Sequence, residues 1–290
     1  MSQQTLPGYE LSEADLVQIA LDQPLDAKIE RAIALLREYV RAALKLSPDG
    51  YYLAFSGGKD SIVIKQLAIE AGVPFKAWYN LTTIDPPELV QYIKRHHADV
   101  GWNRQPVTMM KRVESVKGLP TRVKRWCCEE YKEQGGNGTL KIIGVRIAES
   151  ARRAGIWREF RPDSKGTSMA YLAPIAYWTD ADVWQFIRSR NLPYCELYDQ
   201  GFKRLGCVGC PMAGPNMQAI EFARWPRIEA RWKRACFRFW DRWHGVSTRK
   251  GERRFFEDFG SAQGLWDWWR SGKASEGAAE CHQQEMDLQR

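Results

Sequence analysis

Apolar residues recur at helical spacing from Ile29 through Ile33, Leu36 and Val40 to Leu44, which predicts an amphipathic helix over about Asp26–Lys45. Ser47, Pro48, Asp49 and Gly50 then read as a turn. The apolar run Tyr51–Phe55 lacks the helical period and predicts a strand, as do Phe75–Asn80 and Thr139–Val145. Helical patterns lie between and beyond them. These are Ser61–Ala71, with Ile62, Ile64, Leu67 and Ala68 available for burial, then Pro87–His97, Ile147–Ala154 and Asp180–Arg190. Residues 1–24 read as a polar lead-in. Strands alternating with helices predict an α/β fold, a parallel sheet with helices on both faces. Ligands of such sheets bind beyond the carboxyl ends of the strands, where Ser56, Asn80 and Arg146 fall.

Beyond Pro211 the pattern changes to one rich in Trp and Arg. Pro226 suits a first helical turn, and Ile228, Trp232, Cys236, Phe239 and Trp243 follow on one helical face. Arg227, Arg231, Arg234, Arg238 and Arg242 form a second stripe beside it. Eleven Lys/Arg against three Asp/Glu between Arg224 and Arg254 account for the whole net charge of +8. The plain reading is an amphipathic helix docked by its aromatic face. The alternative is an anionic partner such as nucleic acid at 224–254. Trp178, Trp184, Trp266, Trp268 and Trp269 read as packing residues.

The rest of the composition narrows the setting. A 290-residue chain that is 44% hydrophobic can build a sizeable core. No apolar run approaches the roughly 18 residues that cross a bilayer, so no membrane span is expected. The first residues lack the basic start and apolar run of a signal peptide, which predicts a reducing, cytoplasmic setting. Seven cysteines there point to metal or redox chemistry rather than disulfides.

Two motifs carry that chemistry. Ser56-Gly57-Gly58-Lys59-Asp60-Ser61 sits between a predicted strand and a predicted helix. The glycines let the backbone approach an anion, and the amides at the new helix start have no intrahelical partner. Ser56 and Ser61 add hydroxyls and Lys59 a positive charge, so a phosphate is the expected ligand. The second motif is the pair Cys127-Cys128, separated by 78 residues from Cys207-Val208-Gly209-Cys210. Four thiolates suit zinc or an iron–sulfur cluster. Neighbouring cysteines strain to grip one tetrahedral ion, whereas a cubic cluster offers them separate iron corners. Cys195 and Cys236 have no partner at ligand spacing and read as core residues.

The loop resembles the SGGxDS signature of the pyrophosphatase-loop, or adenine nucleotide alpha hydrolase-like, superfamily. Roughly residues 50–215 resemble the phosphoadenosine-phosphosulfate (PAPS) and adenylyl-sulfate (APS) reductases of the iron–sulfur type. The tandem cysteines and CxxC follow that family's order, as do Gly144-Val145-Arg146 and Glu149-Ser150-Ala151-Arg152. Pro174, Trp178-Thr179-Asp180 and Leu197-Tyr198-Asp199 follow it too. The resemblance implies a 4Fe-4S cluster on Cys127, Cys128, Cys207 and Cys210. It implies an adenine nucleotide held by Ser56, Gly57, Gly58, Lys59, Asp60, Ser61, Arg146 and Arg152. It also implies reduction of PAPS or APS to sulfite, with a thiol donor such as thioredoxin or glutaredoxin. The expected division is a helical lead-in over 1–46, a nucleotide-binding domain over 47–215, and a C-terminal helical region and tail over 216–290.

Two features depart from the reductases. Their nucleophile is a cysteine in an E-C-G-x-H context, whereas this chain has Glu280-Cys281-His282, 71 residues beyond Cys210. Cys281 is the matching candidate, and the neighbouring His282 would favour its thiolate. The SGGKDS form is typical of relatives that cleave ATP to AMP and pyrophosphate. The alternatives are therefore ATP-dependent sulfur transfer to nucleic acid, of phosphorothioation or thiolation type, and a nucleotide-binding module without catalysis.

Overall fold

Ser12 begins the first helix. Its hydroxyl accepts the Asp15 N–H, and the Asp15 carboxylate accepts the Ser12 N–H in return, so α1 forms over Glu13–Leu21. The stretch read as a polar lead-in thus contains a helix, started by a reciprocal cap and burying none of its residues. The computed structural model describes residues 12–163, 168–247, 251 and 254–272.

The predicted amphipathic helix is α2, Leu25–Leu46, which buries Ile29, Ala32, Leu35, Leu36 and Ala43. Strand β1 (Tyr51–Ala54) leads into α3 (Lys59–Ala71), which Gly72 ends in the left-handed region at φ 67°. Then come β2 (Phe75–Leu81), α4 (Pro87–His96), β3 (Gly101–Arg104), α5 (Met109–Arg112) and α6 (Trp126–Tyr131). Strand β4 is only Leu140–Ile142, and a single tight turn at Ile147–Glu149 precedes α7 (Ala151–Ile156). Strands β5 (Phe160–Pro162) and β6 (Ala170–Leu172) precede α8 (Asp180–Ser189). The C-terminal part supplies α9 (Pro215–Arg224), α10 (Pro226–Trp243) and α11 (Ala262–Arg270).

The six strands form one sheet in the order β3-β2-β1-β4-β6-β5. Leu53 of β1 lies opposite Ala77 on one side and Ile142 on the other, both in parallel register. β4 and β6 are also parallel, while β5 runs antiparallel to β6, so the sheet is mostly rather than wholly parallel. No helix among the described residues is long and apolar enough to cross a membrane.

The chain divides into two compact units that interleave in sequence. The first takes the described residues of Met1–Tyr79, Gln91–Trp102 and Gly135–Arg204, and its core includes Leu36, Leu53, Ile64, Leu67, Ile142 and Leu172. The second takes those of Asn80–Val90, Asn103–Gln134 and Leu205–Arg290, around Phe222, Trp232, Phe239, Phe256 and Trp269. Segments that leave the sheet at the ends of β2 and β3 group with the C-terminal helices.

Candidate functional site

The glycine loop forms in the first unit at the carboxyl end of β1. Gly57 adopts φ 73°, a conformation that a side chain disfavours, and Gly58 is the N-cap of α3. The Ser61 hydroxyl donates to the Gly58 carbonyl at 2.8 Å, and the Ser56 hydroxyl reaches Ser61 Oγ at 3.2 Å. The Lys59 N–H, an orphan donor of the helix start, donates to the Tyr198 hydroxyl at 2.9 Å. Tyr198 is held by the edge of Trp184, with ring centroids 5.1 Å apart, and burial pushes its phenol pKa upward. Trp184, expected in the core, is half-buried and forms this aromatic support, whereas Trp178 is buried as expected.

Behind the loop lies a charged network. Gly144 has no side chain where a Cβ would stand 3.1 Å from the Asp60 backbone, so the segment after β4 passes close to α3. Arg146 thereby places Nε 2.7 Å from Asp60 and Nη2 3.0 Å from Asp180, with its side chain 4% exposed. Lys59 Nζ lies 3.5 Å from Asp60 and 3.2 Å from Asp180. Asp180 stands in the first turn of α8, which Thr179 and Asp182 fix with a reciprocal cap. Lys59 and Arg146 are thus both paired with carboxylates, and the arginine organises the loop from below. Arg152 lies on α7, its side chain outside the described residues.

The four proposed cysteine ligands fall in the second unit. Cys127 and Cys128 open α6, and Cys207 and Cys210 bracket a turn after the sheet-bearing segment. All four are free thiols, Cys207 buried and the other three half-buried. Cys127 shares a hydrogen bond with Cys128 and feels the charges of Cys207 and Cys210, which together push its pKa up. Cys128 is held below the ordinary thiol range, because it accepts from Cys127 and from Arg125 Nη2 at 3.3 Å. The ammonium of Lys132 reaches the Cys207 thiol, and a thiolate there would raise the lysine pKa. Burial outweighs that attraction for Cys207 itself, whose pKa is pushed up to about 11. Its thiol also contacts the Thr82 hydroxyl at 3.4 Å. Asn80 lies at the carboxyl end of β2, as expected, and donates to the Lys132 and Gln134 carbonyls at 2.7 and 3.2 Å in this unit.

Among the described residues, no three His, Cys, Asp or Glu stand close enough to hold a single metal ion. A four-iron cluster asks for something different, one thiolate at each of four separated irons. The chemistry of the donor set suits it: four free thiols in one unit. The residue before the pair, Trp126, has a buried indole N–H with no hydrogen-bond partner among the described residues. Cys195 and Cys236 are fully buried as expected, and burial pushes Cys236 up to about 12. Cys281 and His282 lie outside the described residues, as do Arg249, Lys250 and Arg253.

Residues 50–213 match the phosphoadenosine phosphosulfate reductase domain family. The chain belongs to this family. An adenosine 5'-phosphosulfate reductase of Burkholderia cepacia is 25% identical over 71% of this chain and 85% of its own length. An uncharacterised protein of Methanocaldococcus jannaschii is 27% identical over 86% of this chain. The chain spans about half the length of that protein and of a second one from the same organism, at 53% and 46%. Among solved structures, a phosphoadenylyl-sulfate reductase from Candida auris in complex with phosphate aligns with a TM-score of 0.46 at 14% identity. That alignment covers 70% of this chain and 98% of the reductase. The family segment holds the SGGKDS loop, Arg146 and all four cysteines, but ends before α9 and α10.

Several residues around these sites had no sequence signal of their own. Tyr198 and Asp180 belong to family-ordered segments, but nothing local ties them to a loop more than 100 residues earlier. Lys132 and Arg125 flank the cysteine pair, and nothing in the sequence marks either of them.

Proposed function

We propose that this family member binds an adenine nucleotide on the SGGKDS loop and reduces an adenylyl sulfate, PAPS or APS, to sulfite in the reducing cytoplasm. The supporting observation is the thiol set. Cys127, Cys128, Cys207 and Cys210 lie in one unit, with Cys127 under the electrostatic influence of the other three. They would hold a 4Fe-4S cluster, which supplies iron–thiolate links tying α6 to the Cys207–Cys210 turn. The loop amides and the Ser56 and Ser61 hydroxyls would hold the nucleotide's anionic end, with Arg146 fixing Asp60 beneath it. Arg152, by its place in the family motif, would add a second guanidinium.

In the reaction the Cys281 thiolate would attack the sulfonate sulfur. A sulfur–sulfur bond forms, the sulfur–oxygen bond to the nucleotide phosphate breaks, and the nucleotide leaves with that electron pair. A thiol of the thioredoxin or glutaredoxin class then attacks Cys281 sulfur, releasing sulfite and leaving a mixed disulfide. Two thiols are oxidised and the sulfur is reduced by two electrons.

A second reading has its own support. Asp60 and Asp180 place two carboxylates beside the loop, oxygen chemistry suited to a magnesium nucleotide. Arg227, Arg234, Arg238 and Arg242 are exposed along α10, a charge pattern suited to nucleic acid. ATP-dependent sulfur transfer to nucleic acid would use both. Anaerobic protein incubated with PAPS, APS or ATP separates the readings. Sulfite and free adenosine phosphate with a thiol donor are expected. Acceptor-dependent AMP and pyrophosphate from ATP, without sulfite, would replace the first reading by the second.

A further inference from the structure

The turn between Cys207 and Cys210 has four backbone polar groups inside it, on Val208 and Gly209, and each has a partner. The Val208 N–H donates to the Ile84 carbonyl at 2.9 Å. The Val208 carbonyl accepts from the Trp232 indole at 3.0 Å. The Gly209 N–H donates to Glu221 Oε2 at 2.7 Å, and the Gly209 carbonyl accepts from Gln218 Nε2 at 3.0 Å. Three of the four partners are side chains of α9 and α10, beyond the segment that defines the family.

Gln218 is placed where packing alone would not put it. Gln218 is 2% exposed and Trp232 1% exposed. A buried amide is destabilising unless both its ends find partners, so an apolar residue would fill that position at lower cost. Gln218 and Glu221 are three residues apart and therefore share one face of α9. The fit also excludes bulk. A Cβ on Gly209, at φ 77°, would stand 2.4 Å from the Phe222 ring and 3.0 Å from Trp232 Nε1. The turn is clamped by hydrogen bonds from three side chains and by steric contact at its glycine.

We infer that Gln218, Glu221 and Trp232 are positioning residues that set the geometry of the Cys207–Cys210 turn. The C-terminal helices are thereby a working part of the cysteine site. This rests on the reading of Cys207 and Cys210 as metal ligands only for its consequence in metal retention, because the clamp itself is a property of the protein. Hydrogen bonds one step behind a metal ligand fix its orientation, and their loss typically lowers metal affinity about 10–100-fold.

The test compares Glu221→Leu, which removes the acceptor for the Gly209 N–H, with Glu221→Gln, which keeps an acceptor oxygen. Trp232→Phe keeps the ring and removes the indole donor. Full-length protein, purified anaerobically, is challenged with an iron chelator while the visible absorbance is followed. Glu221→Leu and Trp232→Phe are expected to release iron about tenfold faster or more, with Glu221→Gln close to wild type. Equal release rates in folded Leu and wild-type proteins would overturn the inference. If the wild type holds no iron, the ligand reading fails by itself. Amide hydrogen exchange over residues 207–210 then decides the clamp: faster exchange in Glu221→Leu than in Glu221→Gln supports it, and equal exchange refutes it.

Discussion

Replacing Arg146 with methionine removes the cation at the centre of the nucleotide-loop network while keeping much of its apolar stem. The guanidinium is 4% exposed and bridges Asp60 at 2.7 Å and Asp180 at 3.0 Å, with Glu149 at 3.9 Å. Removing one member of a buried ion pair costs about 3–5 kcal/mol, because the partner stays buried without its counter-charge. Two features move the expectation to the lower end. The Asp180 side chain is 63% exposed and can rehydrate, and Lys59 remains 3.5 Å from Asp60. With an unfolding entropy of about 2.1 cal/mol/K per residue, a loss of about 3 kcal/mol corresponds to a fall in Tm of about 5 °C for this 290-residue chain. Arg146→Lys should recover only part of it, since a single ammonium cannot fork between two carboxylates. Calorimetry gives the melting shift, and titration with nucleotide should show weaker binding because Asp60 is no longer fixed at the start of α3. In an Arg146→Met, Asp60→Asn double variant the two losses should add to less than their sum. A folded Arg146→Met protein melting within about 1 °C of wild type would refute the reasoning, because the network would then contribute no more than a single surface pair.

Three further outcomes follow from the same structure. Gly57→Ala forces a side chain into φ 73° and should lower stability by about 1 kcal/mol, with weaker nucleotide binding by titration; an unchanged affinity would remove the loop from the site. In metal-free protein at neutral pH, iodoacetamide should label Cys128 well before Cys207, since the Cys127 thiol and then Arg125 favour the first thiolate and burial suppresses the second; mass spectrometry of timed samples reads the order. His97 is buried and held neutral, with a pKa lowered to about 4 from 6.5 by burial and then by Lys65. The unfolded chain therefore binds the proton first, and stability should fall by up to about 3 kcal/mol as pH drops from about 6.5 towards 4, with His97→Gln flattening that slope in denaturant titrations.

What was legible in the sequence was local. The boundaries of α2, β1, β2 and α8 follow from apolar spacing within each segment, and the phosphate loop is a contiguous run whose glycines and helix start lie side by side. The four thiols are legible as two short motifs. Elements without an apolar period were missed. α1 depends on the exchange of hydrogen bonds between Ser12 and Asp15. β3 is Gly101–Arg104, a strand with Trp102 as its one large apolar residue. The antiparallel edge β5 contains a proline, which removes a ladder donor and marks an edge rather than a core strand.

Polar contacts over long separations left no trace in periodicity. The hydroxyl that meets the Lys59 amide comes from Tyr198, and the second carboxylate on Arg146 comes from Asp180. Trp232 shows why a correct local reading can still be incomplete. Its place on the apolar face of α10 predicts burial, and the ring is buried. The same indole carries one polar atom, and that N–H is directed to the carbonyl of Val208, between two cysteines. Hydrophobic spacing registers the ring and not the N–H, so an amphipathic helix and a support for the cysteine turn look alike in sequence. Gln218 is the contrasting case, since a buried polar residue breaks the apolar pattern of α9 and can be justified only by what it holds. A helix whose inner face carries such a residue can therefore be tested first as part of a site, and only then as packing.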